Sequence, residues 1–99
     1  MDLQQLEEII ARRAEAPASE SYTARLLERG LSVIARKVIE EAGECVGAAI
    51  AADKEHLAAE TADLFYHTLV LLRQQGVSLS DVMAQLEARH QKKATAPQA

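Results

Sequence analysis

The chain has 99 residues, of which 48% are hydrophobic, 26% charged and 3% aromatic. This length suits one small domain, and these fractions are typical of a globular protein rather than a disordered one. The formal charge of −4 argues against a nucleic-acid partner, and the single cysteine, Cys45, excludes an intrachain disulfide. Because the sequence shows no membrane-length apolar run and no secretion signal, we expect a cytoplasmic protein without a membrane partner.

Helix-forming residues dominate the composition, and the spacing of the apolar residues predicts five helices. Their predicted ranges, in chain order, are residues 2–15, 22–29, 31–51, 54–75 and 79–90. Asp2, Ser21 and Asp53 can cap the starts of the first, second and fourth helices. Gly30 and Gly76 can end the second and the fourth. The sequence therefore predicts an all-α fold.

The third and fourth helices are the longest, and only two or three residues around Ala52 join them. So short a link makes these helices an antiparallel hairpin. We expect a helical bundle of about four to five helices around this hairpin, completed by dimerisation, because its apolar stripes exceed what the other helices cover. Residues 1–90 would form this domain, and the polar residues 91–99 a disordered tail.

Acidic side chains border the apolar stripe on both helices of the hairpin. On a helical wheel of about 100° per residue, Glu41 and Glu44 lie along one margin of the third helix, and Glu60 and Asp63 along one margin of the fourth. Counted from Ala52, Glu44 and Glu60 lie roughly 12 Å from the turn, and Glu41 and Asp63 roughly 16 Å. The four carboxylates should therefore meet in one patch.

Four carboxylates that meet without a cation repel one another. A cluster of hard oxygen ligands suits Mg²⁺, with Mn²⁺ as an alternative, and Mg²⁺ commonly shares its ligand shell with substrate phosphates. The other interpretation is a pair of solvated helix faces with ordinary salt bridges, which is the usual reason for acidic residues on an amphipathic helix. The matched register of the two pairs favours the metal site.

The acidic residues also form a recognisable motif. Glu40-Glu41-Ala42-Gly43-Glu44, followed by Glu60-Thr61-Ala62-Asp63, resembles the EExxE…ExxD signature of the all-α nucleotide pyrophosphohydrolases (MazG-like). The segments 21–27 with Gly30, 37–44, 62–67 and 76–82 are similar to those of the phosphoribosyl-ATP pyrophosphatase family, and the likeness extends from Leu3 to Arg89. The resemblance implies an all-α NTP pyrophosphatase-like fold and a stand-alone form of the enzyme.

The resemblance also implies an activity. It is the hydrolysis of phosphoribosyl-ATP to phosphoribosyl-AMP and pyrophosphate, the second step of histidine biosynthesis, by a cytoplasmic, Mg²⁺-dependent homodimer. Glu41, Glu44, Glu60 and Asp63 match the family's metal ligands, and the predicted mechanism is direct attack of a metal-activated water on a phosphorus of the anhydride. Glu40, with Glu41 and Glu44, completes the predicted catalytic set, either as a base that orients water, as a support for the ligands or as a surface charge.

Five further residues are candidates for substrate binding. Lys37 and Arg25 belong to a basic stretch that suits a polyphosphate. Lys37 can instead only neutralise the carboxylates, since it lies four residues before Glu41, and the stretch can be a solvated face. Ser21 can contact phosphate or ribose, or serve only as a helix cap. Tyr22 and Thr23 are candidates for contacts with the base or the ribose.

Two alternative functions remain open at this stage. A general nucleotide pyrophosphohydrolase that acts on dCTP, dUTP or ATP would share the metal site, and a helical dimerisation module would have no activity at all. His67 is interpreted as a structural residue near Asp63 rather than a zinc ligand, and His56 as a surface residue. Cys45 lies in the apolar stripe, which indicates a core residue rather than a nucleophile.

Overall fold

The structure is a computed structural model, and it describes residues 1–95. Its helices are α1 (Leu3–Ala14), α2 (Tyr22–Arg29), α3 (Leu31–Ile50), α4 (Lys54–Gln74) and α5 (Leu79–Thr95). No strand occurs in this part of the chain, so the prediction of an all-α fold with five helices is confirmed. None of the helices within residues 1–95 combines the length and the apolar character needed to cross a membrane.

The predicted N-terminal caps are present at three helices. The side-chain oxygens of Asp2, Ser21 and Asp53 each accept a hydrogen bond from the backbone amide three residues further on, at 2.8, 3.1 and 3.1 Å. These amides have no partner within their own helix, so each cap satisfies a donor that would otherwise need water. The capping residues Asp2, Ser21 and Asp53 therefore determine where α1, α2 and α4 begin.

The last helix is longer than predicted. α5 continues to Thr95, whereas the sequence analysis ended it at about His90 and assigned residues 91–99 to a disordered tail. Glutamine, lysine and alanine, which fill positions 91–94, are good helix formers, and the chain has no proline there until Pro97. The predicted end of the last helix is therefore wrong, whereas the tail stays a prediction, and residues 96–99 lie outside the described part.

The hairpin between α3 and α4 turns at Ala52. Its φ of 57° makes it the only residue other than glycine with a positive φ among the described residues. The amide of Asp53 donates to the carbonyl of Ala48 at 3.1 Å, and that of Ala52 donates to the carbonyl of Ala49 at 3.1 Å. This left-handed residue closes α3 and lets α4 start at once, so it fixes the register of the two helices.

The apolar core lies at the end of the hairpin far from this turn. It is built from the buried side chains of Ile10 in α1, Leu26 in α2, Ile34 in α3, and Leu69 and Val70 in α4. This cluster draws on the first half of α3 and the second half of α4. The half next to the turn has little cover from the rest of the chain, and it is there that the acidic residues of both helices lie.

Replacing Ala52 with glycine should stabilise the fold. The left-handed conformation costs a residue with a side chain about 1–2 kcal/mol. Glycine does not have this cost, but it loses about 0.5–1 kcal/mol more backbone entropy on folding. We therefore expect Ala52→Gly to raise the free energy of unfolding by about 0.5–1 kcal/mol in denaturant titrations at constant protein concentration. Ala51→Gly is the matched control, because Ala51 has a φ of −74° and should lose stability. Equal destabilisation by both substitutions would contradict this account of the turn.

Candidate metal centre and substrate site

The hairpin brings the four predicted carboxylates together. One carboxylate oxygen each from Glu41, Glu60 and Asp63 lies within 4.8 Å of the other two. Glu44 lies one turn after Glu41 on the same helix, and its side chain is close enough to Glu60 to share a hydrogen bond with it. The register counted from Ala52 therefore places all four residues in one patch, while their role as metal ligands stays a prediction.

Two oxygens of this patch are buried without a hydrogen-bond donor. They are Oε2 of Glu41 and Oε2 of Glu60, and neither finds a donor among the described residues. Burial of a charged oxygen without a partner is costly, so a cation or a proton must compensate it. An all-carboxylate donor set matches a hard divalent cation such as Mg²⁺ or Mn²⁺. The residues present therefore fit the ion that the sequence predicts.

The pKa of Glu60 is raised by its neighbours in the chain without a metal. Hydrogen bonding to Glu44 raises the pKa of Glu60 most, and hydrogen bonding to Glu41 is the second cause; together with burial they move it from 4.5 to about 7. A hydrogen bond with His56 acts in the opposite direction and lowers this pKa. A proton shared between carboxyl groups removes one charge from the patch. Metal binding then has to displace this proton at neutral pH.

His56 lies at the rim of the patch, and the sequence analysis treated it only as a surface residue. Its side chain is exposed, yet Nε2 lies 3.1 Å from Oε1 of Glu60, one helical turn further along α4. The spacing of four residues between His56 and Glu60 was the available signal. It did not indicate function because such pairs are common on helix surfaces.

Glu40 and Lys37 form an ion pair with each other. Nζ of Lys37 lies 3.7 Å from Oε2 of Glu40, and Nε of Arg36 lies 3.7 Å from Oε1 of the same carboxylate. The sequence spacing pairs Lys37 with Glu41, four residues further on, whereas the structure pairs it with Glu40, three residues further on. Oε2 of Glu41 has no hydrogen-bond partner among the described residues. Glu40 is thus held by two cations, outside the group of three close carboxylates.

The hydroxyl groups of Ser21 and Thr23 are used inside the protein. Oγ of the buried Ser21 donates to the carbonyl of Arg13 at 2.8 Å and accepts from the amide that it caps. Thr23 is fully buried, and its hydroxyl is bonded to that of Tyr66. Of the two roles considered for Ser21, the structure shows the helix cap. Thr23, the second residue of α2, faces the core, and its contact with base or ribose stays a prediction.

Tyr22 and Arg25 are the predicted substrate residues of α2 that reach the surface. The hydroxyl of Tyr22, a residue 39% exposed, donates to Nε2 of His67 at 2.9 Å. Nδ1 of the buried His67 donates in turn to the carbonyl of Asp63 at 2.8 Å, which is the tautomer that satisfies both contacts. Arg25 is half-buried and donates to the carbonyl of Ala18 at 2.9 Å. The histidine thus joins α2 to the turn of α4 that carries Asp63.

These features define an all-α protein with a carboxylate cluster, suited to a divalent cation, between two antiparallel helices. Comparison with known proteins agrees: residues 3–90 match the phosphoribosyl-ATP pyrophosphohydrolase family. Because this match covers most of the chain, the chain belongs to that family.

The similar proteins fall into two groups by length. Phosphoribosyl-ATP pyrophosphatase of Pyrobaculum arsenaticum is 56% identical over 87 residues, which cover 88% of this chain and 93% of that protein. The namesake from Pyrobaculum islandicum is 53% identical with the same coverage. The histidine biosynthesis bifunctional protein HisIE of Vibrio cholerae is 52% identical over 88 residues, or 89% of this chain. The chain spans only 42% of the length of that bifunctional relative.

The raised pKa of Glu60 predicts how the stability of the metal-free protein depends on pH. Between pH 4.5 and about 7 the folded state keeps a proton that the unfolded state has lost. The free energy of unfolding should therefore fall as pH rises through this window. Above about pH 7, Glu60 should cause no further change in it. The measurement is the melting temperature in a chelator at a series of pH values.

Glu60→Gln is the comparison that isolates this group, because other carboxylates titrate in both proteins. The difference in melting temperature between wild type and Glu60→Gln should shift in favour of the variant as pH rises from 4.5 to about 7. A difference that stays constant over this range would show that Glu60 keeps an ordinary pKa.

Proposed function

We propose that this chain hydrolyses phosphoribosyl-ATP to phosphoribosyl-AMP and pyrophosphate, the second step of histidine biosynthesis, in the cytoplasm. Membership of the family supports the substrate, since relatives that the chain covers almost entirely are named phosphoribosyl-ATP pyrophosphatase. The observation that carries the chemistry is the meeting of Glu41, Glu60 and Asp63 within 4.8 Å, with two buried oxygens that lack a donor.

The carboxylates of Glu41, Glu44, Glu60 and Asp63 would hold Mg²⁺, or Mn²⁺ in its place. When bound, the ion polarises phosphoryl oxygens and activates water for hydrolysis of an anhydride. The chain itself contributes a rigid and partly dry site, because Glu41 and Glu60 extend from two packed helices and not from loops. Electrostatic stabilisation of this kind is usually the largest contribution to catalysis of phosphoryl transfer.

The substrate's phosphates and nucleoside would meet the side chains beside this cluster. Arg25 uses one guanidinium N–H on the carbonyl of Ala18, and arginine has further donors for phosphate oxygens. Lys37 remains partly exposed next to Glu40 and can turn toward a phosphate. The exposed part of the Tyr22 ring is available to the ribose or the base, while its hydroxyl stays on His67. Glu40 remains the candidate for a base that orients water.

The two alternatives differ from this proposal in separate features. A general nucleotide pyrophosphohydrolase would use the same carboxylates, so only the side chains around α2 can distinguish it. A dimerisation module without activity gives no reason to bury Oε2 of Glu41 and of Glu60 away from every donor. The carboxylate geometry therefore favours an enzyme, and the choice of nucleotide is decided by assay.

Neutral replacements of the carboxylates test the metal ligands. Glu44→Gln and Asp63→Asn should each lower the Mg²⁺-dependent release of pyrophosphate from phosphoribosyl-ATP by at least about 100-fold, the upper end of the loss seen when only a ligand's supporting residue is removed. Glu55→Gln is the matched control, because Glu55 is an exposed residue in the first turn of α4. Near-normal turnover of either cluster variant at saturating Mg²⁺ would rule out its role as a ligand.

The same assay separates the substrates. Wild type should turn over phosphoribosyl-ATP with a far higher kcat/KM than ATP, dCTP or dUTP, because specificity is a ratio of these constants. Comparable or higher values on the deoxynucleotides would favour the general pyrophosphohydrolase. The loss of activity in Asp63→Asn should be seen with every nucleotide that the wild type accepts, since the cluster acts on the shared polyphosphate.

We further propose that the chain works as a homodimer in which a second copy covers an apolar groove between α4 and α5. The groove encloses about 320 Å³, and its lining includes Leu64, Phe65, Leu72, Met83 and Leu86. Phe65, Met83 and Leu86 are 47–50% exposed in the single chain. A patch of large apolar side chains of this kind favours association, and a chain of this length gains core volume by it.

Replacing Phe65 with glutamate should dissociate the dimer. The introduced charge would have to be buried without a partner if the second copy still covered the groove, so we expect the mass measured by light scattering to fall from two chains to one. Glu55→Gln again provides the control. A wild-type protein that is monomeric at micromolar concentration would contradict the dimer, and a Phe65→Glu variant that stays dimeric would place the interface elsewhere.

A further inference from the structure

The two carboxylate oxygens of Glu60 have different surroundings. Oε1 lies 3.1 Å from Nε2 of His56 at the rim of the patch. Oε2 is buried without a donor among the described residues, and one carboxylate oxygen of Glu60 lies within 4.8 Å of oxygens of Glu41 and Asp63. Oε1 thus has a hydrogen-bond partner at the rim, whereas the buried Oε2 has none among the described residues. This asymmetry is what a single ligand oxygen for a cation requires.

His56 is itself held in place. It lies in the first turn of α4, where its backbone amide donates to Oδ1 of Asp53 at 3.1 Å. Its side chain is 53% exposed, whereas that of Glu60 is 13% exposed. Among the hydrogen bonds of the described residues, the one from His56 is the only one that joins a nitrogen donor to a side chain of Glu41, Glu44, Glu60 or Asp63.

We propose that His56 is a positioning residue for the metal centre, whose Nε2 binds Oε1 of Glu60 and so keeps that carboxylate beside those of Glu41 and Asp63. The inference rests on the proposed function, because it supposes that these carboxylates hold a cation. A free glutamate side chain samples several rotamers, and a site that must first select one binds its ion more weakly. Residues that hydrogen-bond to a metal ligand commonly change metal affinity by about 10–100-fold when they are removed.

The position also explains why an exposed histidine suffices. His56 needs only one donor toward Glu60, and its other ring nitrogen is free to meet water at the surface. Glutamine can present an amide N–H at about the same distance from the backbone as Nε2 of histidine, whereas leucine has a similar size and no donor. The pair of substitutions therefore separates the hydrogen bond from the bulk of the side chain.

The experiment measures Mn²⁺ binding to the substrate-free protein by electron paramagnetic resonance, with Mg²⁺ as competitor. We expect His56→Leu to weaken Mn²⁺ binding by about 10–100-fold and His56→Gln to retain most of the wild-type affinity. In turnover of phosphoribosyl-ATP, His56→Leu should raise the Mg²⁺ concentration for half-maximal rate by a similar factor, with little change in kcat at saturating Mg²⁺. His90→Leu, an exposed histidine of α5, is the matched control and should bind Mn²⁺ as wild type does.

Two results would overturn the inference: wild-type Mn²⁺ affinity in His56→Leu, or equal weakening in His56→Leu and His56→Gln. Asp63→Asn separates this failure from failure of the metal site. If Asp63→Asn loses Mn²⁺ while His56→Leu keeps it, only the role of His56 is wrong, and if Asp63→Asn binds Mn²⁺ normally, the metal centre is wrong as well. Circular dichroism checks that each variant folds, and His56→Ala replaces His56→Leu if the latter does not.

Discussion

Repulsion among carboxylates held close together is the constraint on which the rest of this structure depends. Glu41, Glu60 and Asp63 approach within 4.8 Å, and Glu44 adjoins Glu60. Like charges at this distance separate unless a rigid scaffold opposes them and a cation or a proton compensates them. The helices of the hairpin provide the scaffold, and the neighbouring Glu44 and Glu41 raise the pKa of Glu60 to about 7. A divalent ion at the proposed site would relieve this repulsion, because it compensates several carboxylates at once.

The fold separates the source of stability from the site of chemistry along the same two helices. Near the open end of the hairpin, Ile34 and Val70 are fully buried with side chains from α1 and α2. Near the turn, the hairpin carries the carboxylates and has little other cover. Burial at the first end holds the antiparallel helices α3 and α4 together, and Ala52 sets their relative height. The free energy that opposes carboxylate repulsion thus comes largely from apolar contacts more than one helical turn away.

The sequence predicts those features of the fold that depend only on residues close together in the chain. The caps at Asp2, Ser21 and Asp53 and the register of the hairpin follow from residue spacing and a short link, so the meeting of the carboxylates was within reach of simple counting. The burial of Thr23 could not be predicted from residue spacing, because it depends on which face of the short helix α2 packs against α4. The contact of His56 with Glu60 depends on one rotamer of each side chain, and spacing alone permits that pair without requiring it.

Specificity for one nucleotide has to arise outside the carboxylate cluster, because acidic ligands read only a cation and the phosphates that share it. α2 is the nearest element with different chemistry, and it carries the exposed ring of Tyr22 and the guanidinium of Arg25. The hydrogen bonds from Tyr22 to His67 and from His67 to the carbonyl of Asp63 connect that helix to the turn of α4 that carries Asp63. In the proposed function, a nucleotide bound by α2 would be held at a fixed distance from the cluster, and that distance would decide which anhydride bond meets the ion.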